Sequence, residues 1–152
     1  MDFTIRHYEA SDKQGVLAVF DANCPTFFAH EERQYLESYL DNEIEIYAVI
    51  EVDGKIVGSG GVNTESTEDG KKGVISWGMI HPDFQGMKLG RKLLEWRIAQ
   101  LKSIPAVTTI VVRTSQLVAA FYAKKGFVLK HVEADFWAPG FDLYDMELGI
   151  ER

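Results

Sequence analysis

The chain of 152 residues has one cysteine and four prolines. A single cysteine, Cys24, excludes an internal disulfide framework and fits a reducing cytosol. Beside Pro25 it reads as a small packed hydrophobe rather than a nucleophile. The four histidines are scattered and no cysteine pair accompanies them, so no zinc pattern is present and no metal is expected. No apolar run approaches the roughly 20 residues of a membrane span. The opening stretch, MDFTIRHYEASD, reads directly as strand and turn and lacks the basic start and apolar core of a signal peptide. A cytoplasmic protein without membrane association is the expectation. Positive charge is scarce in the first half: residues 1–70 hold 4 Lys/Arg against 15 Asp/Glu, whereas residues 71–152 hold 12 against 8. The overall charge of −7 argues against non-specific nucleic-acid binding. The asymmetry suits an anionic ligand in the second half and a cationic one in the first.

The length suggests a single domain, 1–152, with room for a proper core. Apolar residues make up 46% and charged residues 26%, an ordinary globular balance. FTIRHYEA alternates as a strand. Ser11 is placed to cap a helix over about 12–22, and HEERQYLESYLD reads as a second helix with Tyr35, Leu36, Tyr39 and Leu40 inward. EIYAVIEV and KIVGSGGV flank Asp53-Gly54, a strong hairpin signal. TESTEDGKK reads as a polar loop. GVISWGMI reads as a strand in which Gly78 suggests a bulge or a close backbone approach. A helix over about 89–103 follows, closed before Pro105, then the strand AVTTIVV. The helix SQLVAAFYAKK ends at Gly126, and two strands joined through Pro139-Gly140 complete the chain. The order is β-α-α-β-β-β-α-β-α-β-β: an α/β (α+β) fold, with a mixed sheet of about seven strands and helices against it.

The stretch HPDFQGMKLGRKLLEW, 81–96, places bare backbone and positive charge at a helix start. A helix start leaves about four N–H groups without partners, and the peptide dipoles add roughly half a positive charge. A phosphate supplies what is missing. Gly86 and Gly90 keep side chains away from the backbone, and Lys88, Arg91 and Lys92 add charge. The spacing fits neither a Walker loop nor a dinucleotide G-x-G-x-x-G. A phosphate or pyrophosphate is the expected ligand.

At these residues the sequence resembles the GNAT superfamily of N-acetyltransferases. Ile80 and Pro82 match the end of the family's strand. Gln85, Leu89 and Gly90 match its Gln/Arg-x-x-Gly-x-Gly/Ala loop. Lys88 stands where the first motif glycine belongs, a departure that costs about 1 kcal/mol if positive φ is required there. A second segment, TSQLVAAFYAKKGF, resembles the family's later motif through Phe121, Tyr122, Lys124, Gly126 and Phe127, with Ser115 about where asparagine is common. The terminal EADFWAPGFDLYDMEL looks like the family's last strand pair, so the resemblance covers essentially the whole chain.

The resemblance implies a mostly antiparallel sheet with one central parallel pair, 73–80 and 107–113, splayed into a V that holds the pantetheine of acetyl-CoA. The pyrophosphate would rest on the amides from Gln85 through Gly86, Met87, Lys88, Leu89 and Gly90 to Arg91. Gly78, Met79 and Ile80 would bind the pantetheine, with Ser115 and Lys124 also on the donor. An amide near Ile80 could face the thioester oxygen. The implied reaction is direct acetyl transfer to a primary amine, with Tyr122 as the acid for the leaving thiolate. In parts of the family a glutamate on the fourth or fifth strand is the base, and neither strand has a carboxylate here. His81 is the first candidate, with Glu31, Glu32, Glu51 or a chain of water as alternatives. Phe27, Phe28, Glu31, Trp77 and Trp137 would form the acceptor site, together with Tyr35, Tyr39, Phe136, Glu32 and Glu37. Aromatic walls with acids suit a cationic amine. A non-catalytic CoA-binding or regulatory module on the same fold is the alternative. The acceptor and the exact acyl group are left open, and the sheet edges leave a homodimer open.

Overall fold

The computed structural model describes residues 2–151. Strand β1 (Thr4–His7) leads into α1 (Lys13–Ala22) and α2 (Arg33–Asn42). Then come β2 (Ile46–Val52), β3 (Lys55–Thr67), β4 (Gly70–Ile80) and α3 (Leu89–Lys102). The chain finishes with β5 (Val107–Thr114), a short α4 (Ala119–Ala123), β6 (Val128–Ala138) and β7 (Phe141–Gly149). The seven strands form one sheet in the order β1-β2-β3-β4-β5-β7-β6. Every neighbouring pair is antiparallel except β4–β5. The expected element order and mixed sheet are both found.

Two helical layers cover the sheet. On one face Val16, Val19 and Phe20 of α1 pack with Leu36, Tyr39 and Leu40 of α2 against Tyr47, Val49 and Met79. On the other, Leu89 and Leu93 of α3 meet Ala48, Ile50 and Val57, while Leu94 and Leu101 meet Ile75, Ile110, Val112 and Tyr122. Burying each large apolar side chain of this kind contributes about 1.5–3 kcal/mol. Tyr35 was expected inward but is 60% exposed. The buried stripe of α2 runs through Leu36, Tyr39 and Leu40, and one residue back turns the side chain about 100° off it.

Three other expectations change. Ser11 does not cap α1: a 3-10 turn, Ala10–Asp12, precedes the helix, and Asp12 accepts the Glu9 N–H at 2.8 Å. The polar stretch 64–72 is strand rather than loop. Thr64↔Gly73 through Thr67↔Gly70 are paired, which leaves a two-residue turn at Glu68-Asp69. The last helix is five residues long because Ser115–Val118 turns before it, with Val118 and Ala119 N–H groups both donating to the Ser115 carbonyl.

The bulge expected at Gly78 is present. Ser59 pairs with Met79 and Gly61 with Ser76, so Gly60 faces both Trp77 and Gly78. Trp77 carries the positive φ, 43°, a conformation that costs a bulky residue on the order of 1–3 kcal/mol. Gly78 supplies space instead: a Cβ there would lie 2.6 Å from Arg97 Nη1. Beyond the bulge the sheet opens. The parallel ladder runs from Lys71↔Val107 to Ile75↔Val112 and stops, although β4 continues to Ile80 and β5 to Thr114. β5 stays paired to β7 as far as Thr114↔Tyr144, so the gap lies on the β4 side. This is the splayed V.

Candidate active site

The loop at the mouth of the V is built to leave donors free. His81 opens a 3-10 turn, Pro82–Phe84, and the Gln85 N–H returns to the Pro82 carbonyl at 3.3 Å. The chain then needs two left-handed residues, Gly86 at φ 80° and Lys88 at φ 65°, before α3 begins at Leu89. Lys88 therefore bears the cost its position implies, about 1–2 kcal/mol. None of the six N–H groups from Gly86 to Arg91 donates to a described residue, while the Lys92 N–H already follows the helix to Lys88. A Cβ at Gly86 would meet nothing within 4 Å, and one at Gly90 only Ile80 and Phe121 at 3.8 Å. These six donors in a row, with open space at Gly86 and Gly90 and the side-chain charges of Arg91 and Lys92 beside them, could seat an anion such as a diphosphate.

The Ile80 carbonyl is held from two sides. Asn23 Nδ2 and Gln85 Nε2 each donate to it at 3.1 Å, and Gln85 also reaches Asn23 Oδ1 at 3.3 Å. The His81 N–H goes to Val57 on β3 at 2.7 Å. Successive groups along a strand face opposite edges, so the N–H and carbonyl of Ile80 face the gap. Gly78, Met79, Ile80, Gln85 and Gly90 line a cavity of about 300 Å³ that continues to Phe121 and Tyr122. Met87 and Lys88 stand exposed on the loop, and Leu89 is core.

A second, larger cavity, about 500 Å³, lies on the α1–α2 side and shares Phe27, Phe28, Gly78, Val118 and Tyr122 with the first. Tyr122 is the hinge between them. Its ring is set edge-on against Phe121 and Phe127 at 5.1 and 5.5 Å. It is 5% exposed, and its hydroxyl bonds to no described residue. Phe28 and Trp77 pack at 6.1 Å, and Trp137 is fixed through its Nε1 to the Thr114 carbonyl at 3.1 Å. Ser115 closes this wall, and its Oγ accepts the Leu117 N–H at 3.2 Å.

Among the described residues, four carboxylates, Glu32, Glu43, Glu45 and Glu65, border the larger cavity with one cation, Arg113. Arg113 lies over the Phe136 and Trp137 rings at 5.0 and 5.8 Å. Glu32 is buried, and the Ala29 N–H donates to its Oε2 at 2.9 Å. Burial pushes its carboxyl above the ordinary range, the Ala29 bond opposes this, and Glu31 adds to the rise. Burial disfavours the charge on Glu45 too, but the Thr64 N–H and hydroxyl hold it below the ordinary value. Tyr39 is pushed up to about 12 by burial, and its hydroxyl donates to Asn63 at 2.5 Å.

The expected residues divide accordingly. Tyr122, Trp77, Phe27, Phe28 and Trp137 meet at the cleft. Glu31 is turned to solvent and its neighbour Glu32 takes the inner position. His81 is in neither cavity wall: its Nδ1 accepts the Asp83 N–H at 3.1 Å and its ring packs against Phe84. Lys124 is exposed and also outside the walls. Cys24 is partly buried against the α1–α2 cluster, and burial pushes its thiol up to about 11, far from nucleophilic at neutral pH. Sequence reading missed Arg97, buried at 2% exposure in the wall of the smaller cavity. Its signal was a cation in the apolar stripe Leu89, Leu93, Leu94, Leu101 of α3.

The Acetyltransferase (GNAT) domain family matches residues 9–150. An uncharacterized N-acetyltransferase of Pyropia yezoensis, ycf52, is 35% identical over 77 residues, which are 49% of this chain and 44% of that protein. The match thus spans less than half of the relative's length. Among solved structures, the ribosomal-protein-S18-alanine N-acetyltransferase of Escherichia coli superposes with a TM-score of 0.77 at 20% identity, over 99% of this chain and 96% of that one. Ard1 from Thermoplasma volcanium superposes with 0.79 at 15% identity over all of both chains. At these identities the structural likeness is one of fold. No described helix is long and apolar enough to cross a membrane.

Proposed function

The chain belongs to the GNAT acetyltransferase family, and from that premise we propose that it transfers an acetyl group from acetyl-CoA directly to a primary amine while both are bound. One observation carries the reading. The six N–H groups of Gly86–Arg91 donate to no described residue, and the cavity beside β4 that Gln85 and Gly90 line takes in Tyr122 at its other end.

The cradle residues fit the donor's diphosphate: donors, open glycines and cationic neighbours suit an anion. The open edge of β4 at Gly78–Ile80 then takes the pantetheine as a substitute strand, and the Ile80 N–H faces the thioester oxygen. The acceptor enters from the larger cavity, its apolar part against Phe27, Phe28 and Trp77. A free alkylammonium has a pKa near 10 and must lose a proton before it attacks. Glu32 takes that proton in this reading, because it lines the cleft and His81 does not. Its raised carboxyl pKa brings it closer to the amine it must deprotonate. The nitrogen lone pair forms the C–N bond, and the carbonyl pair shifts to oxygen. Its return breaks the C–S bond; Tyr122 gives its proton to the departing thiolate and takes one back from the now cationic nitrogen, which leaves a neutral amide. The carboxylates at Glu43, Glu45 and Glu65 favour an acceptor with a second positive charge.

The test is acetyl-CoA-dependent thiol release by the full chain over cationic, neutral and acidic primary amines. Saturable release, strongest with dicationic amines, is expected. CoA binding without release on any amine would mean a non-catalytic CoA-binding module instead.

A further inference from the structure

Helix α3 turns five side chains onto the sheet, and four are leucines. The fifth is Arg97, 2% exposed. Its Nε and Nη1 are sealed from solvent and, like Nη2, which is not sealed, donate to no described residue. Space for the guanidinium comes from two glycines. A Cβ at Gly78 would lie 2.6 and 2.8 Å from Nη1 and Nη2, and one at Gly60 would lie 3.3 Å from Nη1. A buried charge left without a counter-charge is strongly unfavourable, and arginine cannot escape it by losing its proton. Among the described residues, no carboxylate lines the cavity that Arg97 borders. A negative charge held in the cavity beside Nη2 would compensate it.

Where that charge forms follows from the strand. Gly78 touches the guanidinium on the α3 face of β4, and Ile80, two residues on, lies on the same face, where it packs with Leu89 and Leu93. The Ile80 N–H faces the gap. This step rests on the acyl-transfer reading above, which sets the thioester at that N–H. We propose that Arg97 is a catalytic residue: Nη2 donates to the thioester oxygen beside the Ile80 N–H. When the amine forms the C–N bond, the carbonyl electron pair moves onto this oxygen, and the guanidinium charge offsets it. The pair returns as the C–S bond breaks, and Arg97 keeps its proton throughout. A cation already in place, in a wall with little water, needs no reorganisation at the moment of reaction.

The test uses the full chain with Arg97→Leu and Arg97→Lys. Calorimetry compares two CoA derivatives, a ketone with methylene in place of the sulfur and the S-ethyl thioether, which has no oxygen at that place. The wild type should favour the ketone about tenfold or more, as a charge-assisted hydrogen bond does. Arg97→Leu should erase that preference, leave thioether affinity unchanged and lower kcat by on the order of 10²–10³. Arg97→Lys should recover part of both. Leucine completes the apolar stripe, so Arg97→Leu should melt no lower than wild type. A ketone preference that survives Arg97→Leu, or a kcat within about threefold of wild type, a small fraction of the loss of such a donor, would overturn the proposal. So would a preference for succinyl-CoA over acetyl-CoA that Arg97→Leu abolishes, since the guanidinium would then read an acyl carboxylate. If neither derivative binds the wild type, the acyl-transfer reading itself fails. If both bind it equally, only the role of Arg97 does.

Discussion

Replacing Tyr122 with phenylalanine removes one oxygen and keeps the ring. That ring is held by Phe121 and Phe127 at 5.1 and 5.5 Å, contacts which phenylalanine preserves. The hydroxyl bonds to no described residue, so the fold loses no hydrogen bond. The change in stability should stay within about 0.5 kcal/mol. Loss of a general acid lowers turnover by about 10²–10⁴, or roughly 2.7–5.4 kcal/mol of activation free energy at 1.36 per tenfold. The catalytic effect is thus several times the structural one, and the two separate cleanly. Thiol release gives kcat, calorimetry gives the affinity for CoA, and a thermal melt gives stability. Turnover should fall by about a hundredfold or more, with affinity and melting temperature nearly unchanged. An unaltered kcat would refute the acid role. A collapse of CoA affinity would show that the tyrosine serves packing.

Three further substitutions probe separate parts. Glu32→Gln should lower kcat by about 10²–10⁴ and remove an ascending pH limb that lies above the ordinary carboxylate range. Because the folded carboxyl holds its proton more tightly than the unfolded one, its contribution to stability is lost as pH rises through the raised value. Glu32→Gln should therefore melt higher than wild type at neutral pH and alike at pH 4; an unchanged pH limb would move the base elsewhere. Gly90→Glu finds ordinary room against Ile80 and Phe121, but sets a negative charge in the cradle and should weaken CoA binding by at least about tenfold. Unchanged affinity would remove the cradle role. Asp12→Asn breaks the paired 2.8 Å bonds from Arg6 that tie β1 to the start of α1, and should cost about 1–2 kcal/mol in urea unfolding at pH 7. Arg6 holds the Asp12 carboxyl below its ordinary value, so this stability is lost as pH falls through the depressed value. A wild type no more stable than Asp12→Asn at pH 7 would count against the pairing.

Much of this arrangement was legible in the amino-acid sequence, because the strongest signals are local. The hairpin at Asp53-Gly54, the bulge near Gly78 and the helix that begins at Leu89 each need particular residues at fixed spacing, and each is found. What remained hidden depends on which side of an element faces inward. Glu31 and Glu32 are adjacent acids, and only the 3-10 turn His30–Glu32 decides that the second enters the cleft. Tyr35 and Tyr39 share a helix, yet only Tyr39 reaches the sheet. The charged residues of 64–72 look like a loop, but a narrow hairpin extends the sheet with both faces largely solvated. His81 follows the strand in sequence, but the turn at Pro82 directs its ring away from the cavities. Arg97 was visible as an anomaly of the leucine stripe. Its meaning came only with Gly60 and Gly78, which lie far from it in sequence and make room for its charge.

The most direct measurement is a ¹⁵N–¹H titration of the full chain with acetyl-CoA. If the backbone of Gly86–Arg91 seats the diphosphate, those amide protons should move downfield together and saturate, and Ile80 should follow. Saturable shifts confined to other residues, with 86–91 unmoved, would contradict the account at its base.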